Sequence, residues 1–536
     1  MQKTFNIVGA CNPDNNYMVD LSERLKSVTG FVSSGAYFVI NRARQFGKTT
    51  MLKAIADACY GDYILISTSF QGYDSDVFRD GRSFSGFFAA DIIRRIRTQN
   101  KLTGSDEAAV SRFEAYVSST DKLTVSELFL KLTDLCMALS RKSILIIDEV
   151  DEAANNQVFT EFLGQMRRLY LERDGQSTFW SVILAGVYDI KNLKQKMRPD
   201  SDHKYNSPWN IATDFNVDMS FGKQDIRGML TAYQADHGTG MNLDEVSSEI
   251  YDYSAGYPFL VSDICKIIDE ELFIKKGADV SSPWSAAGVR EAVHRIVNRP
   301  NMLFDDMIKH LDEYPDLARM IQNILFEGIS YPYNYYSSEI NIGTMFGFLV
   351  SRDDTVAVSN RIFETFLYNF FLAESLAKQY NQGAPQPDSS QFIIDGNLNM
   401  RMVMEKFAQY YLELDNEKDS EDEKHIRFIE DNGRKIFLMY LKAIINGTGN
   451  YYIESRTRNN KRTDVIVDYK GRRFIIELKI WRGDEYNRRG EDQLAEYLDF
   501  YHKKEGYLLS YNFNKNKTTG VFDRYVDGKH LVEVVV

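Results

Sequence analysis

Two groups of residues in this 536-residue chain have types and spacing suited to phosphate chemistry. The first is Gly47-Lys48-Thr49-Thr50, which follows the apolar run Tyr37-Phe38-Val39-Ile40 and precedes the helical pattern Met51-Leu52-Lys53-Ala54-Ile55. A loop that holds a nucleotide needs backbone N–H groups at a helix N-terminus. It also needs a lysine that reaches the outer phosphates and a hydroxyl that shares Mg²⁺. Gly47, Lys48 and Thr49 supply these in the required strand–loop–helix context, with Thr50 beside them as a further binding candidate. The first glycine of the full pattern G-x-x-x-x-G-K-[ST] would fall at position 42, where this chain has Arg42. A second half must therefore decide, and Ser143-Ile144-Leu145-Ile146-Ile147-Asp148-Glu149 provides it. A buried apolar strand brings Asp148 to the carboxyl edge of a sheet, where parallel α/β sheets bind ligands. Asp148 suits Mg²⁺ and Glu149 suits polarisation of an attacking water. Either motif alone could be an ordinary turn or surface residue; the pair points to nucleotide binding. The distance between them leaves room for two strand–helix units. No Asn or Thr stands in Ala185-Gly186-Val187-Tyr188-Asp189 to act as a polar sensor of the phosphate.

The second group lies near the C-terminus. Asp464-Val465-Ile466-Val467-Asp468-Tyr469 and Arg472-Arg473-Phe474-Ile475-Ile476-Glu477-Leu478-Lys479 are β-rich runs flanking Lys470-Gly471, which reads as a hairpin. With a two-residue loop, or a four-residue loop closed by Asp468 and Arg473, Asp464 faces Glu477, and Lys479 shares their face. A three-residue bulged loop would shift the register by one and send Glu477 to the other face. Two opposed carboxylates need a cation between them, and a divalent metal serves. The adjacent Lys479 could orient or activate a water for attack on a phosphodiester. Gln493 and Tyr497 then form an i,i+4 pair on the next helix. Between residues 450 and 490 eleven Lys and Arg face six Asp and Glu, a basic patch that suits a phosphate backbone. A surface hairpin laced with ion pairs is the plainer alternative, and the Gln–Tyr helix argues against it.

The elements that must position these residues follow from the rest of the chain. Lys plus Arg is 64 and Asp plus Glu is 76, a net charge of −12, which excludes a surface built wholly to coat nucleic acid. Cys11, Cys59, Cys136 and Cys265 form no C-x-x-C pair, so a disulfide scaffold and a cysteine zinc site are both disfavoured. The seven histidines show no metal-ligand spacing. The apolar stretch before Cys11 is too short for a secretion signal, and no run is long enough to span a bilayer, so the expected location is cytoplasmic. Apolar runs at Tyr37–Ile40, Tyr63–Ile66, Ile144–Ile147 and Trp180–Leu184 alternate with helical patterns, as in a parallel sheet covered on both faces. Helical periodicity follows from about 240, with a hairpin around Arg352-Asp353-Asp354. A polar, proline-containing linker follows near Asn381 to Ser390. Helical stretches then occupy Met400 to Leu414 and Lys435 to Ile445, separated by the charge run Glu417 to Lys424.

The pattern Asp464-x12-Glu477-x-Lys479 resembles the core of the PD-(D/E)XK nuclease superfamily, with Thr463 in place of its leading proline. Gln493-x-x-x-Tyr497 resembles the extra motif of the RecB-type branch. Upstream, Tyr17-Met18-Val19-Asp20-Leu21, the loop from Asn41 to Thr49 and Gly256-Tyr257-Pro258-Phe259-Leu260 resemble a bacterial AAA-ATPase-like family. In that family Arg often replaces the first loop glycine, and a C-terminal nuclease-like domain is commonly fused. The resemblance spans essentially the whole chain. It implies an α/β protein: a P-loop ATPase with a parallel sheet at 1–235, a helical and winged-helix lid at 236–378, a linker at 379–391 and a small α/β restriction-endonuclease-like domain at 392–536. It further implies ATP and Mg²⁺ at Gly47, Lys48, Thr49, Thr50 and Asp148, with Glu149 catalytic. For the nuclease it implies Asp464 and Glu477 on metal, Lys479 catalytic, and Gln493 and Tyr497 in support. Gly256-Tyr257-Pro258 resembles a lid segment that packs near the nucleotide, although a Gly–x–Pro is often just a helix start. Arg44, Arg167, Arg168 and Arg198 are all candidates for an arginine finger. The expected partners are nucleic acid, DNA before RNA, and further copies of the chain. Defence against foreign DNA is a role suggested by analogy alone. Two rivals are a nucleotide-switched module that grips nucleic acid or another partner without cutting, and a signalling ATPase whose lid binds a protein.

Overall fold

In the first 187 residues, apolar runs alternate with amphipathic helices, and the runs become a four-stranded parallel sheet. The structure is a computed structural model. It describes residues 3–120, 123–154, 156–173, 178–187, 209, 211–273, 283–326, 329–380, 389–416, 429–445, 449–453, 465–480, 484–512 and 518–536. Strands β1 (Tyr37–Asn41), β2 (Ile64–Ser69), β3 (Ser143–Asp148) and β4 (Ser181–Gly186) run in the order β1-β4-β3-β2. Their side chains alternate between two cores. Phe38, Ile40, Leu65, Ile144, Ile146 and Ile183 pack with helices Ser22–Ser33 and Lys48–Cys59. Val39, Ile64, Ile66, Leu145, Ile147 and Leu184 pack on the other face with helices Gly81–Gln99, Val125–Ala138 and Gln157–Leu171. Burial of each such side chain contributes about 1.5–3 kcal/mol, which is why these strands read as continuous apolar runs.

The length between the loop at Gly47 and Asp148 is filled differently from the expected two strand–helix units. Among the described residues only β2 intervenes in sequence, and three successive helices, Gly81–Gln99, Gly104–Ser119 and Val125–Ala138, take up most of the remainder. Two of these start with reciprocal caps, Thr103 with Asp106 and Thr124 with Glu127. In space β4 lies between β1 and β3, so the strand of the loop and the strand of Asp148 are not neighbours.

The chain forms two compact units. One comprises Met1–Tyr251, Ala255–Glu271 and Ile342–Phe348; the other comprises Asp252–Ser254, Leu272–Asn341 and Leu349–Val536. In the second unit, strands β5 (Leu349–Arg352) and β6 (Thr355–Val358) form the expected hairpin. Its turn residues Asp353 and Asp354 both have positive φ, which matches the right-handed twist of the strands. Helix Arg361–Tyr380 follows, and then the short pair β7 (Ile393–Ile394) and β8 (Asn397–Leu398). The centre of the expected linker and the charge run Glu417 to Lys424 lie outside the described residues. Helices Met400–Asn416 and Ile429–Ile445 lead into a mixed sheet of six strands: β9 (Gly449–Ile453), β10 (Val465–Tyr469), β11 (Arg472–Ile480), β12 (Glu505–Tyr511), β13 (Gly520–Val526) and β14 (Lys529–Val535). Their order is β13-β14-β12-β11-β10-β9, with β11, β12 and β14 mutually parallel. The four cysteines are free thiols. No helix among the described residues is long and apolar enough to cross a membrane.

Candidate functional site

Gly47 caps helix Lys48–Cys59 from the left-handed region at φ 82°, a conformation that costs glycine nothing. Gln45, two residues earlier, is also left-handed at φ 56°. These inversions fold the loop back over the helix N-terminus, where free N–H groups and the helix dipole favour an anion. Lys48 is buried, and its ammonium donates to the Arg42 carbonyl at 2.9 Å and the Ala43 carbonyl at 3.1 Å. Thr49 donates to Asp148 Oδ2 at 2.8 Å, so the two motifs meet across the width of β4. Thr50 turns elsewhere, accepting from the Cys11 backbone at 3.1 Å.

Glu149 follows Asp148 in the left-handed conformation, at φ 52°, and its N–H donates to Asp148 Oδ1 at 2.9 Å. Burial raises the pKa of Glu149, the Asp148 carboxylate raises it further, and Lys48 opposes both. Burial lowers the pKa of Lys48, against the pull of Glu149, Asp151 and Asp148. A lysine and carboxylates in mutual reach, at the carboxyl edge of a parallel sheet, can bind a polyphosphate and poise a base beside it.

Arg42, the departure from the usual first glycine, points away from this cradle. Its guanidinium donates to the carbonyls of Asn41 at 2.9 Å and Val217 at 2.9 Å, and it stacks over the Phe215 ring at 5.2 Å. It fastens the loop to the 215–217 segment. Tyr257 supports the loop from another side: its hydroxyl donates to the Arg44 carbonyl at 2.5 Å, and its ring meets Phe46 edge-on at 4.8 Å. Gly256, just before it, packs on the backbone of Phe221, where a Cβ would stand 2.1 Å from the carbonyl oxygen. Gly256-Tyr257-Pro258 is thus both a helix start, with Pro258 in the first turn of helix Pro258–Ile267, and a contact on the loop. Among the arginine-finger candidates, Arg168 pairs with Glu172, the residue that caps the end of its helix, at 2.9 Å, and Arg198 lies outside the described residues.

In the C-terminal sheet the hairpin turns through Lys470-Gly471, with φ of 49° and 80°, and Tyr469 pairs with Arg472. This is the two-residue loop and the even register. The pairing continues to Val465 opposite Ile476; Asp464, one residue beyond, lies outside the described residues. Glu477 is fully buried, and the Lys479 ammonium stands 3.6 Å from its Oε1. Helix Asp484–Phe500 covers this face so closely that a Cβ on Gly490 would lie 2.6 Å from Lys479 Nζ. Tyr497 is buried on the same helix in a core with Ile475, Leu494, Leu498, Leu508 and Leu531. The backbone of Gln493 lies two turns into that helix, and its side chain is outside what is described. Three residues without a sequence signal, Ser510 on β12, Glu533 on β14 and Arg524 on β13, stand on further strands of the Glu477 face. Ser510 donates to Glu533 Oε1 at 3.2 Å, and Arg524 reaches Glu533 Oε2 at 3.1 Å. Among the described residues no group of three or more His, Cys, Asp or Glu converges on a metal position.

Residues 14–276 match the family model of the AAA-like domain. A search of curated proteins gives no match. Among solved structures, the Walker-type ATPase PABY2304 of Pyrococcus abyssi is similar at 14% identity, over 68% of this chain and 99% of that one, with a TM-score of 0.46. The Aeropyrum pernix ORC2 protein, solved as ADPNP–ADP complexes, is 13% identical over 69% of this chain and 97% of its own, with a TM-score of 0.37. The Thermotoga maritima RuvB protein is 11% identical over 69% and 97%, with a TM-score of 0.32. The AAA-like match contains Lys48, Thr49, Asp148, Glu149 and Tyr257, so the whole loop-centred cluster falls within it.

Proposed function

We propose that the AAA-like domain binds and hydrolyses ATP with Mg²⁺, and that the C-terminal sheet carries a Mg²⁺-dependent nuclease acting on DNA. The observation that carries the first half is the Thr49–Asp148 hydrogen bond beside the buried Lys48. A hydroxyl and a carboxylate oxygen at the start of a phosphate-cradling helix are hard donors of the kind Mg²⁺ prefers, and Thr49 and Asp148 would hold it. The ion would neutralise charge on the outer phosphates. Lys48 would leave the loop carbonyls for a phosphate oxygen, and Glu149 would orient and deprotonate the attacking water. For the second half, the even register of β10 and β11 and the proximity of Lys479 to Glu477 support the reading. Asp464 and Glu477 would hold the ion, with Gln493 and Tyr497 supporting the site from their helix.

The test is cleavage of plasmid and single-stranded DNA with Mg²⁺ or Mn²⁺, with and without ATP, alongside Glu477→Gln and Lys48→Ala. Cleavage lost in Glu477→Gln and altered in Lys48→Ala is the expected result. Cleavage that survives Glu477→Gln would sink the nuclease assignment. DNA retention with no new ends under any condition would establish the non-cutting module instead.

A further inference from the structure

The sequence offers no polar sensor at the end of β4, yet the structure puts a carboxylate there. Asp151, two residues after Glu149, accepts a hydrogen bond from the Val187 backbone N–H at 2.5 Å through Oδ2. Its Oδ1 lies so close to Gly186 that a Cβ at that glycine would stand 2.7 Å from it, and 2.9 Å from Val150 Cγ2. The contact joins the short 3-10 turn Val150–Ala153, which follows β3, to the residue that follows β4. Glu149 opens that turn in the left-handed region, a conformation that a non-glycine residue keeps only when its surroundings impose it. The turn's own bonds are modest: Glu152 N–H to the Glu149 carbonyl at 3.3 Å, and Ala154 N–H to the Asp151 carbonyl at 3.0 Å. The side-chain bond of Asp151 ties the turn to a neighbouring strand, and β4 is itself paired to β1, which carries the loop.

We propose that Asp151 is a positioning residue of the hydrolytic site: it anchors the turn after β3 to the end of β4 and so fixes the conformation in which Glu149 meets the attacking water. The inference rests on the ATPase reading above. It assigns Asp151 no contact with nucleotide, metal or water. Its role is carried by a hydrogen-bond acceptor, so Asn can fill it and Ala cannot. Gly186 is the other side of the same contact, and a methyl group there would push the carboxylate off Val187.

The test compares Asp151→Ala, Asp151→Asn and Gly186→Ala with the wild-type chain in steady-state ATP hydrolysis, nucleotide affinity and amide exchange across residues 149–154. Displacing a catalytic group by about 1 Å can cost about 100-fold in rate. The expected outcome is a kcat about 10- to 100-fold lower in Asp151→Ala and Gly186→Ala, with nucleotide affinity within about threefold. Asp151→Asn should retain most of kcat. Combined with Glu149→Gln, Asp151→Ala should cost nothing more, because the residue acts through Glu149. An unchanged kcat in Asp151→Ala overturns the proposal. So does an equal loss in Asp151→Asn, which would point to the charge. Should the wild type bind ATP without turnover, the ATPase reading fails by itself, and amide exchange decides the anchor separately. Protection lost in Asp151→Ala and kept in Asp151→Asn sustains it, and protection kept in both overturns it.

Discussion

Lys48 and Glu149 make opposite demands on the same small volume. Burial disfavours both charges, and each charge relieves the other. A base must be deprotonated to act, and burial with Asp148 raises the pKa of Glu149. The acid limb of kcat/KM for ATP hydrolysis should therefore lie above the ordinary glutamate value of about 4.3, with activity falling as pH drops through the raised pKa. Glu149→Gln should remove that limb together with hydrolysis and leave nucleotide affinity in place; an unshifted limb would remove Glu149 from the role. At a position where glycine is usual, Arg42 spends its donors on the carbonyls of Asn41 and Val217 and its face on Phe215. A hydrogen bond to a charged donor contributes about 1.5–3 kcal/mol. Arg42→Ala should thus lower the stability of its unit by about 2–3 kcal/mol in denaturant titration. Arg42→Gly, which restores the usual glycine, should do no better.

At the scale of elements, sequence reading worked where one physical signal dominated. The four strands of the parallel sheet are apolar on both faces, so continuous runs such as Ile144–Ile147 were enough to find them. The hairpin was legible from the β-branched and aromatic residues flanking Lys470-Gly471, but its register was open until the pairing of Tyr469 with Arg472 set the turn at two residues. Strands β9, β13 and β14 were harder. Phe522, Asp523, Arg524 and Tyr525 mix charge with aromatics because β13 is an edge strand with only β14 beside it. The outward turn of Arg42 and the reach of Asp151 to Val187 depend on contacts 36 to 175 residues distant, which no local pattern encodes. Tyr497 shows the ambiguity of helical spacing: i,i+4 places it on the face of Gln493, and that face is also where Leu494 and Leu498 build core. His530 on β14 bonds Asp523 on β13 at 2.7 Å and Glu505 on β12 at 3.2 Å, and Arg401 forks onto Asp523. Asp523 raises the pKa of His530, and Arg401 with His530 lowers that of Asp523 to about 2. A raised histidine stabilises fully below its unfolded value and loses that contribution as pH rises through the folded one. A lowered carboxylate stabilises above its unfolded value and loses that contribution as pH falls toward about 2. Amide protection of β13 should therefore peak between the unfolded pKa values of about 3.9 for Asp and 6.5 for His. His530→Gln should abolish its decline on the alkaline side.

At the scale of the whole chain, the charge distribution separates the readings of the C-terminal sheet. A net charge of −12 repels a polyanion at long range, so any DNA contact must depend on a local basic surface. Lys470 and Arg472, at the hairpin turn, are exposed and suited to phosphate, whereas Arg473 beside them is committed to Asp468 at 3.8 Å. Among the described residues Lys470 donates to a backbone carbonyl, that of Gly396 at 3.1 Å, which a phosphate can replace. Each phosphate contact contributes about 0.9 to the slope of log K against log salt for duplex DNA. Lys470→Glu with Arg472→Glu should therefore weaken DNA binding, and should flatten its salt dependence by about two such increments. ATP hydrolysis without DNA should stay as it was, since neither residue belongs to the loop-centred cluster. The double change also leaves Glu477 and Lys479 in place. Binding measured by fluorescence anisotropy at several salt concentrations thus separates grip from cutting. A slope that does not move would place the nucleic-acid surface away from this hairpin, leaving phosphodiester chemistry at Glu477 to rest on the even register and the Lys479 contact alone.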